Sequence, residues 1–279
     1  MRKLLKKILI ALLSIDAVGR FSYWFSTFAW KIKFQRELIE RQRTEKPIHD
    51  LASKLFANKT VLHGSFKGMK YPALRSKSSA LYPKLLGTYE QELSPSIESF
   101  ITKNYAQLLD IGCAEGYYAV GMAMRLPNLQ VYAYDIDPEA RKLTAEMAKL
   151  NGVENRVKVE SSCTTETLKK FDFSKKTLII CDAEGYEKQL FTNDCLENLK
   201  TVDLLIETHD FIDIRISSTL EKLFSSSHQL HIIQSLGDVI KAKTYQVPEL
   251  EGQDIELRYR MLEEGRRFVD EWLLLTAKS

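Results

Sequence analysis

The stretch that decides the fold is AQLLDIGCAEG at 106–116, answered by VYAYDIDPEA at 131–140. An apolar run ends at Asp110, passes through a loop of small residues from Gly112 to Gly116, and enters helical spacing from Tyr117 to Arg125. This is the strand–turn–helix unit of a parallel sheet. Working outward, the pattern predicts seven strands: 106–112, 130–136, 156–161, 177–183, 203–209, 230–236 and 272–277. Helices are expected at Tyr117–Arg125, Pro138–Leu150, Glu187–Leu199, Ile212–Phe224 and Ile255–Phe268, with Pro138 suited to a first turn and Gly152 to a stop. The reading is an α/β fold, a seven-stranded doubly wound (Rossmann-like) sheet with an N-terminal helical extension. Residues 1–46 form the extension, 47–104 a lead-in segment covering the site, and 105–279 the main domain. Ligands of such sheets bind beyond the carboxyl ends of the strands, at the switch point.

The composition agrees. The chain has 279 residues, 44% hydrophobic and 28% charged, enough for one large domain plus an extension. Twelve Gly and seven Pro are too few for a low-complexity or collagen-like chain. Cys113, Cys163, Cys181 and Cys195 form no CxxC pair and have no His at ligand spacing, which excludes a zinc knuckle or disulfide framework and predicts a reducing, cytoplasmic setting. Charge is uneven: residues 1–100 carry 18 Lys+Arg against 8 Asp+Glu, while the remainder carries 22 against 29. An acidic main domain argues against nucleic acid as substrate.

The N-terminal segment MRKLLKKILIALLSI has the charged start and short apolar run of a secretion signal but no clear cleavage site, and Asp16 and Arg20 interrupt any spanning helix. Phe21, Tyr23, Trp24, Phe25, Phe28 and Trp30, flanked by Lys6, Lys7, Lys31 and Lys33, suit a segment lying in the headgroup region. That predicts peripheral membrane association through residues 1–33 at the inner face of the membrane. The competing reading is a helix packed on its own domain or on a partner subunit. A polar helical stretch from Lys31 to Lys46 is expected to end at Pro47, where a boundary falls.

Asp135 lies 23 residues after Gly112, placed to accept hydrogen bonds from two ribose hydroxyls. A dinucleotide loop requires G-x-G-x-x-G, whereas the positions here are Gly112, Ala114 and Tyr117. Tyr117 replaces the glycine that allows close helix–strand packing, which disfavours a NAD-dependent oxidoreductase. Asp110 and Glu115 would repel a pyrophosphate but tolerate a sulfonium and an ammonium, the two positive groups of S-adenosyl-L-methionine. The expected cofactor contacts are Asp110, Gly112, Cys113, Ala114, Glu115, Gly116, Asp135, Ile136 and Ser162.

DIGCAEGYYA and VYAYDIDPEA resemble the first two motifs of class I S-adenosylmethionine-dependent methyltransferases. CDAEGYE at 181–187 and GTYEQEL at 87–93 resemble the more specific signatures of the FkbM family, with FKGMKYP at 66–72 and the closing EWLLLTAK also similar. The resemblance covers about residues 60–278. It implies cofactor contacts at Asp110, Gly112, Ala114 and Gly116, ribose recognition by Asp135, and Asp182 and Glu184 facing the methyl group or the acceptor. Family members often carry an asparagine where Cys113-Ala114-Glu115 stand, so Glu115 is a departure.

Methyl transfer is an in-line displacement that needs alignment and, for a hydroxyl acceptor, removal of a proton. Asp182, Glu184, Glu187, Glu207, His209 and Asp210 gather at two neighbouring strand ends, with Asp182, Glu184, Glu207 and His209 the catalytic candidates. His209 is the expected base because an ordinary imidazole titrates near 6.5. Glu207 and His209 have a second reading as loop caps, and Glu184 as an acceptor for amides at the helix start after Gly185. Asp182, Glu207, His209 and Asp210 would also suit a divalent ion, although nothing in their spacing compels a metal. Cys113 and Cys181 read as packing residues. His63, Lys67, Lys70, Tyr71 and Arg75 are expected to reach over the site, with Tyr71 stacking on an acceptor ring. The function expected is O-methylation of a carbohydrate hydroxyl, on a surface glycan or glycolipid precursor. The alternatives are a small-molecule natural-product or lipid O-methyltransferase, and a catalytically silent scaffold of the same fold.

Overall fold

The computed structural model describes residues 2–13, 16–77, 80–266 and 269–278. It divides into two compact units, Met1–Ser53 and Lys54–Ser279. The first is helical, with helices Arg2–Leu13 and Asp16–Leu55. The second helix does not stop at Pro47 but runs through it. Tyr23, Trp24, Phe25, Phe28 and Trp30 are exposed on it, while the side chain of Phe21 lies outside the described residues. Among the described residues no helix is long and apolar enough to cross a membrane.

The second unit is built on a seven-stranded sheet: β1 Gln107–Ile111, β2 Gln130–Tyr134, β3 Val157–Glu160, β4 Thr177–Cys181, β5 Asp203–Thr208, β6 His228–Gln234 and β7 Glu271–Ala277. Their spatial order is β3-β2-β1-β4-β5-β7-β6. The first five are parallel, and β7 inserts antiparallel between β5 and β6. Chain order reverses between β1 and β4, which opens a crevice at their carboxyl ends. Strands β1, β4 and β5 are buried along their whole length, as continuous apolar runs covered on both faces should be. One core layer joins Leu109, Ile179, Leu204 and Leu273 to Phe191, Leu220 and Phe224 from the covering helices.

All seven strands form where the pattern places them, with β6 beginning two residues early because His228 is buried and bonded to the Val202 carbonyl. Helices Tyr117–Arg125 and Pro138–Leu150 have the expected ends, the latter capped by Asp137, which accepts from the Glu139 amide. The expected helix 187–199 splits into Glu187–Leu190 and Asn193–Leu199, because Phe191 turns extended to pack on Phe224 in the core. The helix after β5 starts only at Ile216, since Asp210 accepts from the Ser217 amide and hydroxyl. The helix from Ile255 ends at Leu262, short of Gly265 with its positive φ.

Candidate active site

The loop after β1 is fixed by its neighbours on both sides. The amides of Gly112 and Cys113 donate to the Tyr134 carbonyl of β2, and the Asp182 amide donates to Ile111 at 2.8 Å. Gly112 has φ +82°, and a Cβ there would lie 1.7 Å from the Asp182 carbonyl oxygen, so only glycine fits. Ala114 is held at φ +48° by two bonds: its amide donates to Asp135 Oδ2 at 2.9 Å, and its carbonyl accepts from Thr144 at 2.9 Å. Gly116 leads into the helix Tyr117–Arg125. Asp135 lies just past β2 and also accepts the Asp137 amide. Ile136 is 84% exposed, and Ser162 is exposed after β3. Asp110 is buried with Oδ2 unpartnered, and burial lifts its carboxyl to about 7 against a bond from the Ala119 amide.

Glu115 is the member of the loop that turns away. Its buried carboxylate accepts from Lys84 Nζ at 2.6 Å, Ser76 Oγ at 2.7 Å and the Lys77 amide at 3.2 Å. Burial opposes its charge, but Lys84 holds it below the ordinary carboxylate range. Glu115 therefore clamps the lead-in segment to the helix start, and Lys84 neutralises the charge expected to repel phosphate. The lead-in residues also differ from expectation. Tyr71 is buried beside Glu115 and presents no face for an acceptor ring. His63 pairs with Glu249 at 2.9 Å and Arg75 with Glu139 at 3.6 Å, while Lys67 is exposed and the Lys70 backbone pairs with Asn151.

Across the crevice, Asp182, Glu207 and His209 bring one ligand atom each within 4.8 Å of the others. His209 Nε2 lies 3.4 Å from Asp182 Oδ1 and 3.6 Å from Glu184 Oε2. Its Nδ1 faces Glu187 Oε1 at 2.8 Å. Glu187, fully buried, also accepts the amides of Ala183 and Gly185. The amide-binding role considered for Glu184 thus belongs to Glu187, while Glu184 sits at φ +49° with its side chain largely exposed. Asp210 is spent on its cap and stands outside the cluster.

The electrostatics reverse one expected role. Burial disfavours the imidazolium of His209, but the bond to Glu187 and the fields of Asp182, Glu187 and Glu207 raise it to about 9. At neutral pH this favours the imidazolium, so His209 suits a positioning cation better than the free base its type suggests. Burial, with Glu90, Glu184 and Glu187 nearby, lifts Asp182 to about 7 against the pull of His209. Burial and Asp182 lift Glu207 to about 8.

Behind these groups is a buried charge network that sequence reasoning missed. Arg266 donates to Glu207 at 2.6 Å, Glu90 at 2.5 Å, Asp270 at 2.8 Å and Glu264 at 3.2 Å. Tyr118 donates to Glu90, and Lys241 pairs with Glu264 at 2.6 Å. Burial and Glu207 raise the Glu90 carboxyl to about 8. The one available signal was the acidic GTYEQEL motif, which supplies Glu90; Arg266 stands 59 residues from Glu207 and 176 from Glu90 in sequence. The cysteines are buried free thiols, as expected of packing residues.

Residues 99–211, which carry β1 to β5, match a family model described as O-methyltransferase. Release factor glutamine methyltransferase of Streptococcus pneumoniae is 30% identical over 136 residues, 48% of this chain and 45% of that protein. An uncharacterised protein of Mycoplasma pneumoniae is 38% identical over 52 residues, 19% of this chain and 12% of that protein. The chain thus spans less than half the length of either relative. Among solved structures, an O-methyltransferase from Bacillus cereus in complex with SAH aligns at a TM-score of 0.46 and 12% identity, covering 65% of this chain and 78% of that one. A precorrin-6y C5,15-methyltransferase from Geobacter metallireducens aligns at 0.44 and 13%, covering 67% and 88%.

Proposed function

We propose that this chain is an S-adenosylmethionine-dependent O-methyltransferase. The observation that carries the reading is the direct backbone contact between the Gly112 loop and Asp182, which sets a donor-type loop against a proton-accepting cluster. Three features support the cofactor: Gly112 and Gly116 bring bare backbone to the two ends of the loop, Asp135 stands at the end of β2 where a ribose would be read, and the unpartnered buried oxygen of Asp110 suits a cationic group. The O-methyltransferase match over 99–211 supports the same reading.

S-adenosylmethionine supplies a methyl group on a sulfonium, a leaving group that needs no protonation. The protein's work is to orient the acceptor hydroxyl and take its proton. Asp182, ionised above about pH 7, would take the proton of an acceptor hydroxyl held at this strand end. His209, held as an imidazolium by Glu187, stabilises the Asp182 carboxylate and points its Nε2 toward the acceptor side. Arg266 holds Glu207 in place.

The acceptor in this reading is a carbohydrate hydroxyl, as the FkbM-like motifs CDAEGYE and GTYEQEL imply. A cavity of about 230 Å³ opens at the same strand ends, lined by Thr208, Asp210, Phe211, Val269, Asp270 and Glu271; Phe211 gives it an aromatic face, while Asp210 and Asp270 are held by Ser217 and Arg266. Calorimetric titration with S-adenosylhomocysteine, with NAD as control, tests the assignment; tighter binding of NAD would remove it. A second reading is favoured by the convergence of Asp182, Glu207 and His209, which suit a divalent ion able to lower the acceptor's pKa. Activity unaffected by a chelator would discard that variant.

A further inference from the structure

The two edges of the sheet are finished differently. At one edge β3 is four residues long, and Lys158 and Glu160 stand exposed on it. Short length and charge are the devices that keep an edge strand from pairing with another chain. At the other edge β6 has neither: its seven residues, HQLHIIQ, include no Lys, Arg, Asp, Glu, Pro or Gly. Its register with β7 is unbroken by a bulge from His228 to Gln234. That register fixes which backbone groups are left over. Ser227 accepts from the Lys278 amide and the Ser235 amide donates to Asp270, so the odd-numbered residues of β6 exchange bonds with β7. The amides and carbonyls of His228, Leu230, Ile232 and Gln234 therefore point away from the sheet, and among the described residues no hydrogen bond reaches them. The turn Gln91–Leu93 approaches the strand but gives its backbone no bond. Beside this open ladder Ile232 is 40% exposed, and Leu230 and Ile233 are half-buried.

We propose that β6 pairs antiparallel with β6 of a second copy of this chain, about a two-fold axis through His231. The strand is complementary to its own image in that register. His228 meets Gln234 and Leu230 meets Ile232, each pair drawn from the residues whose backbone is left over, so every outward amide and carbonyl of the strand finds a partner. A two-fold between residues would set outward groups against inward ones, and one centred on Leu230 or Ile232 would run one end past the strand. On one face Leu230 and Ile232 of both copies close into an apolar quartet; on the other His231 faces its own image, flanked by Gln229 and Ile233. No acid or base on β6 selects a foreign strand, whereas its own image satisfies the whole ladder. The result is one sheet running through both copies. Because β6 runs parallel to β5 and its image runs opposite, the two candidate sites open at opposite edges of that sheet.

Cross-linking of the full chain tests both the partner and the register. At a non-hydrogen-bonded antiparallel pair the Cα atoms stand about 4.5 Å apart, within the span of a disulfide. H231C should therefore join two copies under mild oxidation, and the four native cysteines are buried and do not compete. Q229C should stay single on its own, because its like residue in the image lies four positions along the strand, about 13 Å away, and should cross-link when mixed with I233C. K158C, on β3, is the control. His231, Gln229 and Lys158 are exposed, so changing them leaves the core intact. By sedimentation equilibrium the wild type should be a dimer, which H231K and H231E should each weaken about fivefold by setting like charges face to face, and their equimolar mixture should restore it. A monomer at every concentration would overturn the proposal, as would a dimer indifferent to residue 231, H231C cross-linking no faster than Q229C or K158C alone, or no restoration on mixing.

Discussion

Replacing Glu187 by glutamine should convert His209 from a resident cation into an ordinary histidine. Lifting an imidazole from 6.5 to about 9 corresponds to about 3 kcal/mol of preference for the protonated form, and the Glu187 bond is the largest favourable contribution. Glutamine can still accept the Ala183 and Gly185 amides through its oxygen, and its NH2 group takes the place of the unpartnered Oε2. The change is therefore confined to one charge 2.8 Å from Nδ1. In E187Q the His209 value should fall toward about 7, because burial still opposes the charge while Asp182 and Glu207 still favour it. Nitrogen-detected NMR of the five imidazoles reads this directly. The sign for stability follows from a folded value raised above the unfolded one: the stabilisation is complete below about pH 6.5 and is lost as pH rises through about 9. Urea midpoints of wild type and E187Q should therefore differ most below about pH 6.5 and converge above about pH 9. Turnover should rise through about pH 7 as Asp182 ionises and fall near pH 9 in the wild type, with the alkaline limb moving down in the variant. A wild-type His209 that loses its proton near pH 6.5, or a variant in which the value stays put, would refute the reasoning.

Three further expectations come from the same geometry. D135A should lose on the order of 2 to 4 kcal/mol of S-adenosylhomocysteine affinity by calorimetry, with a melting curve to separate this from the loss of its bonds to Ala114 and Asp137; unchanged affinity would move the ribose site elsewhere. E115Q removes the carboxylate charge 2.6 Å from the buried Lys84 ammonium and should cost about 3 to 5 kcal/mol in urea unfolding, much of it recovered in K84M/E115Q; a full-strength E115Q would mean the pair is not buried in solution. Anionic vesicles should bind the full chain, and salt should weaken binding by screening about 1 kcal/mol for each N-terminal lysine near the surface; salt-independent binding would rule out the headgroup contribution.

Much of the sheet was legible because buried parallel strands are continuous apolar runs, and TLIIC or DLLIET cannot be hidden by context. The turn after β1 was legible too, since its glycines answer a backbone need that is local: Gly112 must approach the end of β4 whatever surrounds it. What escaped was set by partners distant in sequence. Phe191 breaks a helix because Phe224 waits in the core, and the helical period of 187–199 carries no trace of that. Glu115 reads as a cofactor residue until Lys84 is found beside it, and Arg266 as a surface charge until four carboxylates surround it. The proton affinity of His209 is illegible for the same reason: it is written in Glu187, whose spacing from it says nothing about direction.

The contact between Gly112 and the Asp182 carbonyl also bears on how such an enzyme can change its substrate. The 112–116 loop and Asp182 are welded through the backbone, so drift at the end of β4 is felt at once by the loop beside it. Divergence toward new acceptors is channelled away from that seam, into the connections after β5 and β6 and before β7, where a residue can be exchanged without disturbing the methyl source. Lineages built on this sheet should accordingly vary in their last third while the 110–116 and 181–187 segments stand still.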